Sequence, residues 1–181
     1  MFGSAQKSEY QKRQDGNATV FEVTPGTAPK FTIMAIGGAV LALLGLFMLP
    51  FGIIFIAGGA FAIWFSWFRE MRPKGHAERN TFRVTPEAID GGGRTFKKDE
   101  IHRLIIKNAL NNEIVTAPNV MIPINAPTAM GVAFRAQVAT VANGLEVETG
   151  GKAYLLAGGM DQTTAFGLMH DVSKVIGFAA A

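Results

Sequence analysis

From Phe31 to Phe68 the chain runs thirty-eight residues without a charged side chain: FTIMAIGGAVLALLGLFMLPFGIIFIAGGAFAIWFSWF. One continuous helix of that length would reach roughly 57 Å at ~1.5 Å per residue. A bilayer's hydrocarbon core is about 30 Å thick and takes about 20 residues per crossing. The tract therefore predicts two crossings rather than one. Leu49-Pro50-Phe51-Gly52 supplies the break, because a mid-helix proline removes a hydrogen bond and clashes with the preceding turn. The expected element is a transmembrane hairpin over residues 31–68, with helices at about 31–49 and 51–68. A secretory leader is excluded on length, since its apolar region runs only about 7–15 residues.

The flanks set an orientation. Lys7, Lys12, Arg13 and Lys30 precede the tract, and Arg69, Arg72, Lys74 and Arg79 follow it, while the loop between the helices has no charge. Lys and Arg stay on the cytoplasmic side. The expected location is a bacterial inner (cytoplasmic) membrane with both termini cytoplasmic. Trp64 and Trp67 stand at the returning end, where indole rings favour the headgroup level.

Small residues recur on one face of each helix. Ala35, Gly38, Ala42 and Gly45 fall at spacings of three and four, and Gly52, Gly59 and Ala62 can form a matching face. Small side chains allow helices to approach closely. These seven residues are the expected helix–helix packing seam.

Outside the tract the chain reads as follows. Residues 1–17 are polar and aperiodic, which predicts a mobile N-terminus. Residues 18–30 hold a short strand or a lead-in, Ala18–Thr24, ended by Pro25-Gly26. Residues 69–79 form a basic juxtamembrane linker. Residues 80–178 are β-rich, with strands expected around 81–85, 94–98, 101–107, 131–142, 145–149 and 152–156. Gly91-Gly92-Gly93 and Gly150-Gly151 are turns. Pro118, Pro123 and Pro127 restrict any strand in 114–127 to a short or edge position. A helix is expected at 161–176, with Asp161 as N-cap, an apolar stripe of Ala165, Leu168, Met169, Val172, Val175 and Ile176, and Gly177 as terminator. The fold class is a membrane-anchored α+β protein: a two-helix transmembrane hairpin, then a small β-barrel or sandwich closed by a C-terminal helix.

Little in the sequence points to chemistry. With no cysteine there is neither a thiol nucleophile nor a thiolate metal site. His76, His102 and His170 show no metal-ligand spacing. The serines, Ser4, Ser8, Ser66 and Ser173, lack a nucleophile-elbow context. Gly150-Gly151-Lys152 fails as a phosphate loop, because Glu146 and Ala153 stand where a glycine and a hydroxyl residue are required. No catalytic residue, cofactor or metal is expected, and the chain is read as not an enzyme. One basic cluster stands out: Arg94, Lys97, Lys98, Arg103 and Lys107, with His102 among them. Such groups attract anionic headgroups by roughly 1 kcal/mol each near a surface. Nucleic acid is not an expected partner, since the net charge is only +3 and no aromatics interleave with the basic residues. The weakly charged tract 114–145 reads as core strands or as a surface that meets another subunit.

One stretch carries a resemblance. Phe82-Arg83-Val84-Thr85-Pro86-Glu87-Ala88-Ile89 is followed by Gly91-Gly92-Gly93-Arg94-Thr95-Phe96-Lys97-Lys98 and then Asp99-Glu100-Ile101. With the hairpin upstream, this resembles the bacterial pleckstrin-homology-like membrane proteins. The resemblance implies a seven-stranded, half-open barrel capped by a C-terminal helix, a scaffold or interaction role near the membrane, and no catalytic residues. The expected function is that of a non-catalytic, inner-membrane anchored scaffold whose cytoplasmic domain mediates protein contacts, with a protein partner or self-association. The alternatives are an anionic-lipid-binding module and an accessory subunit of a membrane enzyme or transport complex.

Overall fold

The computed structural model describes residues 7–30, 32–68, 72–115 and 135–178. The chain divides into two compact units, Ala28–Met71 and Ala5–Thr27 with Arg72–Ala181.

The first unit is a pair of helices, α1 (Thr32–Phe47) and α2 (Ile53–Phe68). Each has 16 residues, which gives ~24 Å at ~1.5 Å per residue. Among the described residues no helix is long and apolar enough to cross a membrane. The expected transmembrane hairpin is therefore corrected. The uncharged tract is longer than the helices within it, because residues 48–52 go into the turn. What remains of each helix falls short of a hydrocarbon core of about 30 Å. The membrane-anchored fold class, and the inner-membrane location with two cytoplasmic termini, rested on that span and fall with it.

The second unit is α+β. Its strands are β1 (Glu9–Asp15), β2 (Ala18–Thr24), β3 (Asn80–Val84), β4 (Ala88–Gly91), β5 (Arg94–Lys97), β6 (Ile101–Asn108), β7 (Asn143–Thr149) and β8 (Lys152–Met160). They form two antiparallel sheets, one of order β1-β2-β3-β4-β5 and one of order β6-β7-β8. Two short helical pieces interrupt them: α3 (Lys74–Ala77) and a 3-10 turn at Lys98–Glu100. The last helix, α4 (Gln162–Ile176), follows β8.

Two differences from expectation have simple causes. Residues 9–15 are a strand, not a mobile tail. Their alternation is not apolar against polar: only Tyr10 is partly buried, the rest of the strand is exposed, and Tyr10 and Lys12 both bond Asp171. A hydrophobicity pattern cannot register such a strand. Residues 135–139 are helical rather than extended. The remainder of the expected strand, and the proline-rich stretch before it, lie outside the described residues.

The core follows from period-two alternation. On β2, Phe21 and Val23 point inward, and Phe21 pairs in register with Phe82 of β3. Their rings stack with centroids 5.3 Å apart. Val84, Ile89 and Phe96 continue that inner face, and Ile106, Leu145, Val147 and Leu156 supply the facing sheet. Helix α4 lays Ala165, Leu168, Val172 and Ile176 onto this core, all fully buried. Fully burying the leucine, valine or isoleucine of this stripe contributes about 1.5–3 kcal/mol each. The two-residue turns Gly92-Gly93 and Gly150-Gly151 have φ of 59° and 76°, and 55° and 73°. Positive φ at both positions is what a tight hairpin with right-twisted strands demands, and glycine accepts it without strain.

Candidate functional site

The small residues of the hairpin form one seam. A Cβ on Gly38 would come within 2.7 Å of the Gly59 carbonyl oxygen and 3.0 Å of the Ala62 Cβ. On Gly45 it would meet the Gly52 oxygen at 2.6 Å, and on Gly59 the Ala42 Cβ at 2.9 Å. The helices are thus in backbone contact along Gly38, Ala42, Gly45, Gly52, Gly59 and Ala62, and Ala35 is buried. Because these positions are consumed by the pair itself, the large side chains are turned outward. Phe47 is 87% exposed and Phe51 83%, and Ile36, Leu43, Ile54, Phe61, Trp64 and Trp67 are more than half exposed. Lys30 reaches back over the Trp67 ring, 5.1 Å from its centroid.

The basic cluster of the second unit is divided among different neighbours. Arg94 lies over the Tyr154 ring, 4.9 Å from its centroid, and Lys98 lies 5.9 Å from the Phe178 ring. Arg103 Nε donates to Glu148 Oε2 at 2.6 Å. Lys107 faces Glu146, whose carboxyl is pushed up by burial and pulled partly back by the lysine charge. Lys97 is exposed on β5, and His102 is exposed on β6. The β7 carboxylates thus counter two of the five basic groups, and aromatic rings take two more.

Three arrangements escaped sequence reasoning. The first is a clasp at the start of α4. Asp161, the N-cap, accepts from Thr164 N at 3.0 Å and from Ser8 Oγ at 2.7 Å. Burial alone would raise its carboxyl, yet the hydrogen bonds from Thr164 and Ser8 outweigh that and hold it below the usual range. One turn from the other end of the helix, Asp171 accepts from Lys12 Nζ at 2.9 Å and from Tyr10 Oη at 3.1 Å. Here too burial is outweighed, by the hydrogen bonds and by the Lys12 charge, so the carboxyl is held low.

The second is a buried amide pair. Asn108 Nδ2 donates to the Ala139 carbonyl at 2.8 Å and to Asn143 Oδ1 at 2.9 Å, and Asn143 Nδ2 donates to the Met160 carbonyl at 3.0 Å. These two residues floor a cleft of about 390 Å³ rimmed by Lys7, Thr140, Asp161 and Gln162. Their polar atoms are spent on backbone groups and on each other.

The third is centred on α3. Arg72 is buried, and its Nη1 donates to the Gly26 and Val141 carbonyls at 2.8 and 3.0 Å. His76, one turn on, is 5% exposed, and neither ring nitrogen has a hydrogen-bond partner. It sits in a slot made by glycines: a Cβ on Gly144 would lie 2.7 Å from His76 Nε2, and one on Gly158 2.7 Å from its Cδ2. The available signal was the glycine pair Gly158-Gly159 inside a strand, a mark of close approach by another segment.

Among the described residues no group of three or more His, Asp or Glu side chains could hold a metal ion. No family model matches the chain. No curated protein matches it, and no solved structure does. The resemblance to bacterial pleckstrin-homology-like membrane proteins is accordingly corrected. It paired a short motif with a membrane hairpin, and α1 and α2 are too short for that role. The two sheets with a closing helix are compatible with a pleckstrin-homology-like fold, but no match ties the chain to that family.

Proposed function

We propose that this chain is a non-catalytic assembly protein whose uncharged helical hairpin associates with the hairpin of a second copy, so that the β-rich unit is presented in more than one copy. The observation that carries the reading is the outward face of α1 and α2. Six aromatic side chains on these helices and the turn between them, Phe47, Phe51, Phe55, Phe61, Trp64 and Trp67, are between 40% and 87% exposed. At 150–250 Å² per aromatic they leave roughly 600–900 Å² of apolar surface uncovered around the helices and their turn. Large exposed apolar surface marks an interaction site. With no charge anywhere in the hairpin, this surface has nothing with which to select a charged partner. An identical uncharged surface complements it, and two-fold pairing uses the same patch twice.

The non-catalytic part of the reading is supported by how the titratable groups are used. Asp161 caps a helix, Asp171 ties β1 to α4, and Glu148 pairs with Arg103. These are structural bonds.

The test is the mass of the full chain in aqueous buffer, measured by light scattering over a dilution series. The wild type is expected to be a dimer or larger, and Phe47→Lys with Phe51→Lys is expected to shift it toward monomer. A wild-type monomer overturns the proposal. So does a chain that is kept in solution only by lipid vesicles or detergent and shows no self-association there.

A further inference from the structure

Segment α3 is held on the β-rich unit by a residue that stability alone would not choose. A buried nitrogen without a partner gives up its hydrogen bonds to water and gains none in return. His76 buries two. A phenylalanine of similar size would fill the same slot without that cost, so the position carries a titratable ring where an apolar one packs better. The slot is built for it: Gly144 on β7 and Gly158 on β8 leave the ring's space open, and the His76 carbonyl oxygen lies against the place a Gly159 side chain would take. Among the described residues, the charge that acts on the ring is positive. Neither Gly144 nor Gly158 and Gly159 offers a side chain. The charge that faces the imidazole is Arg72, itself buried and bonded to two carbonyls. No carboxylate among the described residues bonds either ring nitrogen.

We propose that α3 is an acid-released latch: neutral His76 seats the segment on β7 and β8, and the protonated ring, with a second positive charge beside Arg72 and no acceptor, drives it off. Burial and then the Arg72 charge lower the imidazole from 6.5 to about 4. The sign follows from which state binds the proton. A released His76 takes one up below pH 6.5, while the docked ring resists until about pH 4. Docking is therefore at full strength above pH 6.5 and weakens as pH falls through that window, by roughly thirtyfold at pH 5. Asp161 and Asp171, both held below their ordinary range, stay ionised at pH 5 and do not contribute.

The test is hydrogen exchange of the full chain at pH 7.5 and pH 5.0, corrected for the intrinsic pH dependence of exchange. Amides of residues 75–77 and 158–160 are expected to lose on the order of thirtyfold in protection at pH 5.0 relative to β2 and β3. His76→Phe is expected to abolish that difference. Equal protection at the two pH values, or the same loss in His76→Phe, overturns the proposal. Nuclear magnetic resonance titration of the three histidines decides the matter without any variant. His76 is expected to titrate near 4, well below a free imidazole, and a titration at 6.5 or above overturns the latch.

Discussion

Ser8 and Asp161 hold each other by both backbone and side chain: Ser8 Oγ donates to Asp161 Oδ2 at 2.7 Å and accepts from Asp161 N at 2.9 Å. Ser8 N also donates to Asp161 Oδ2, at 3.1 Å. The residues stand 153 positions apart, so the pair closes nearly the whole chain of the β-rich unit onto the first turn of α4. Asp161→Ala removes the helix cap and strips Ser8 of its acceptor. The expected loss is about 1–2 kcal/mol, read as a lower urea midpoint at unchanged slope. Ser8→Ala is expected to cost less, because Thr164 N still finds its cap.

Acid should loosen the same closure a second way. Asp161 and Asp171 are both held below their ordinary carboxylate range. A carboxylate lowered on folding adds stability that is complete above its unfolded value, about 3.9, and is lost as pH falls through the folded one. Thermal melts between pH 5 and pH 2 should therefore show a steep drop in midpoint below about pH 4. The drop should be shallower in Asp171→Asn. Glu146, raised by burial, acts in the opposite sense and softens the slope. An Asp171→Asn curve parallel to wild type would remove Asp171 from this account.

In the hairpin, position decides what a methyl group does. A Cβ on Gly59 would overlap the Gly38 carbonyl oxygen, whereas one on Gly37 meets nothing within 4 Å. Gly59→Val is expected to push the helices apart and destabilise their packing by about 1–3 kcal/mol. Gly37→Ala is expected to stabilise α1 by about 0.5–1 kcal/mol through helix propensity alone. Helicity against temperature, by circular dichroism, separates the two.

The core of the β-rich unit is most exposed to change where α4 meets both sheets. Leu168 is fully buried there. Leu168→Ala is expected to cost about 2–5 kcal/mol, the lost transfer energy plus a residual cavity. Leu110→Ala, at a partly exposed turn, should stay within about 0.5 kcal/mol of wild type. Chemical denaturation of the two variants checks the contrast.

How much of this is written in the sequence depends on what fixes each element. Helix α4 is local: Asp161 caps it, a stripe at spacings of three and four is buried, and Gly177 ends it with φ of 75°. The two double-glycine turns are equally local, because only their own φ values are at stake. The small-residue seam is visible as spacing, and the glycines sit in backbone contact. Other features are held by partners far along the chain. β1 pairs with β2 across a tight turn at Gly16, but its polar side chains carry no apolar stripe, and Tyr10 and Lys12 find their partner in Asp171, about 160 residues away. The slot for His76 needs glycines from two later strands. The basic cluster shows the reverse failure. Its residues are adjacent in sequence, yet Glu146, Glu148, Tyr154 and Phe178 draw four of them to separate neighbours. Charge density in a sequence window says nothing about the acids that folding sets opposite. Apolar length misled in the same way, since an uncharged tract does not reveal where its helices stop.

Because the chain has no cysteine, a single introduced thiol reports on its own surroundings. Phe47→Cys places one at the hairpin's most exposed large apolar side chain among the described residues, and Lys152→Cys places another at the exposed first residue of β8. Under mild oxidation of dilute protein, the account predicts a disulfide-linked dimer for Phe47→Cys and almost none for Lys152→Cys. Equal yields at the two positions, or no dimer from Phe47→Cys, would contradict the claim that the hairpins meet.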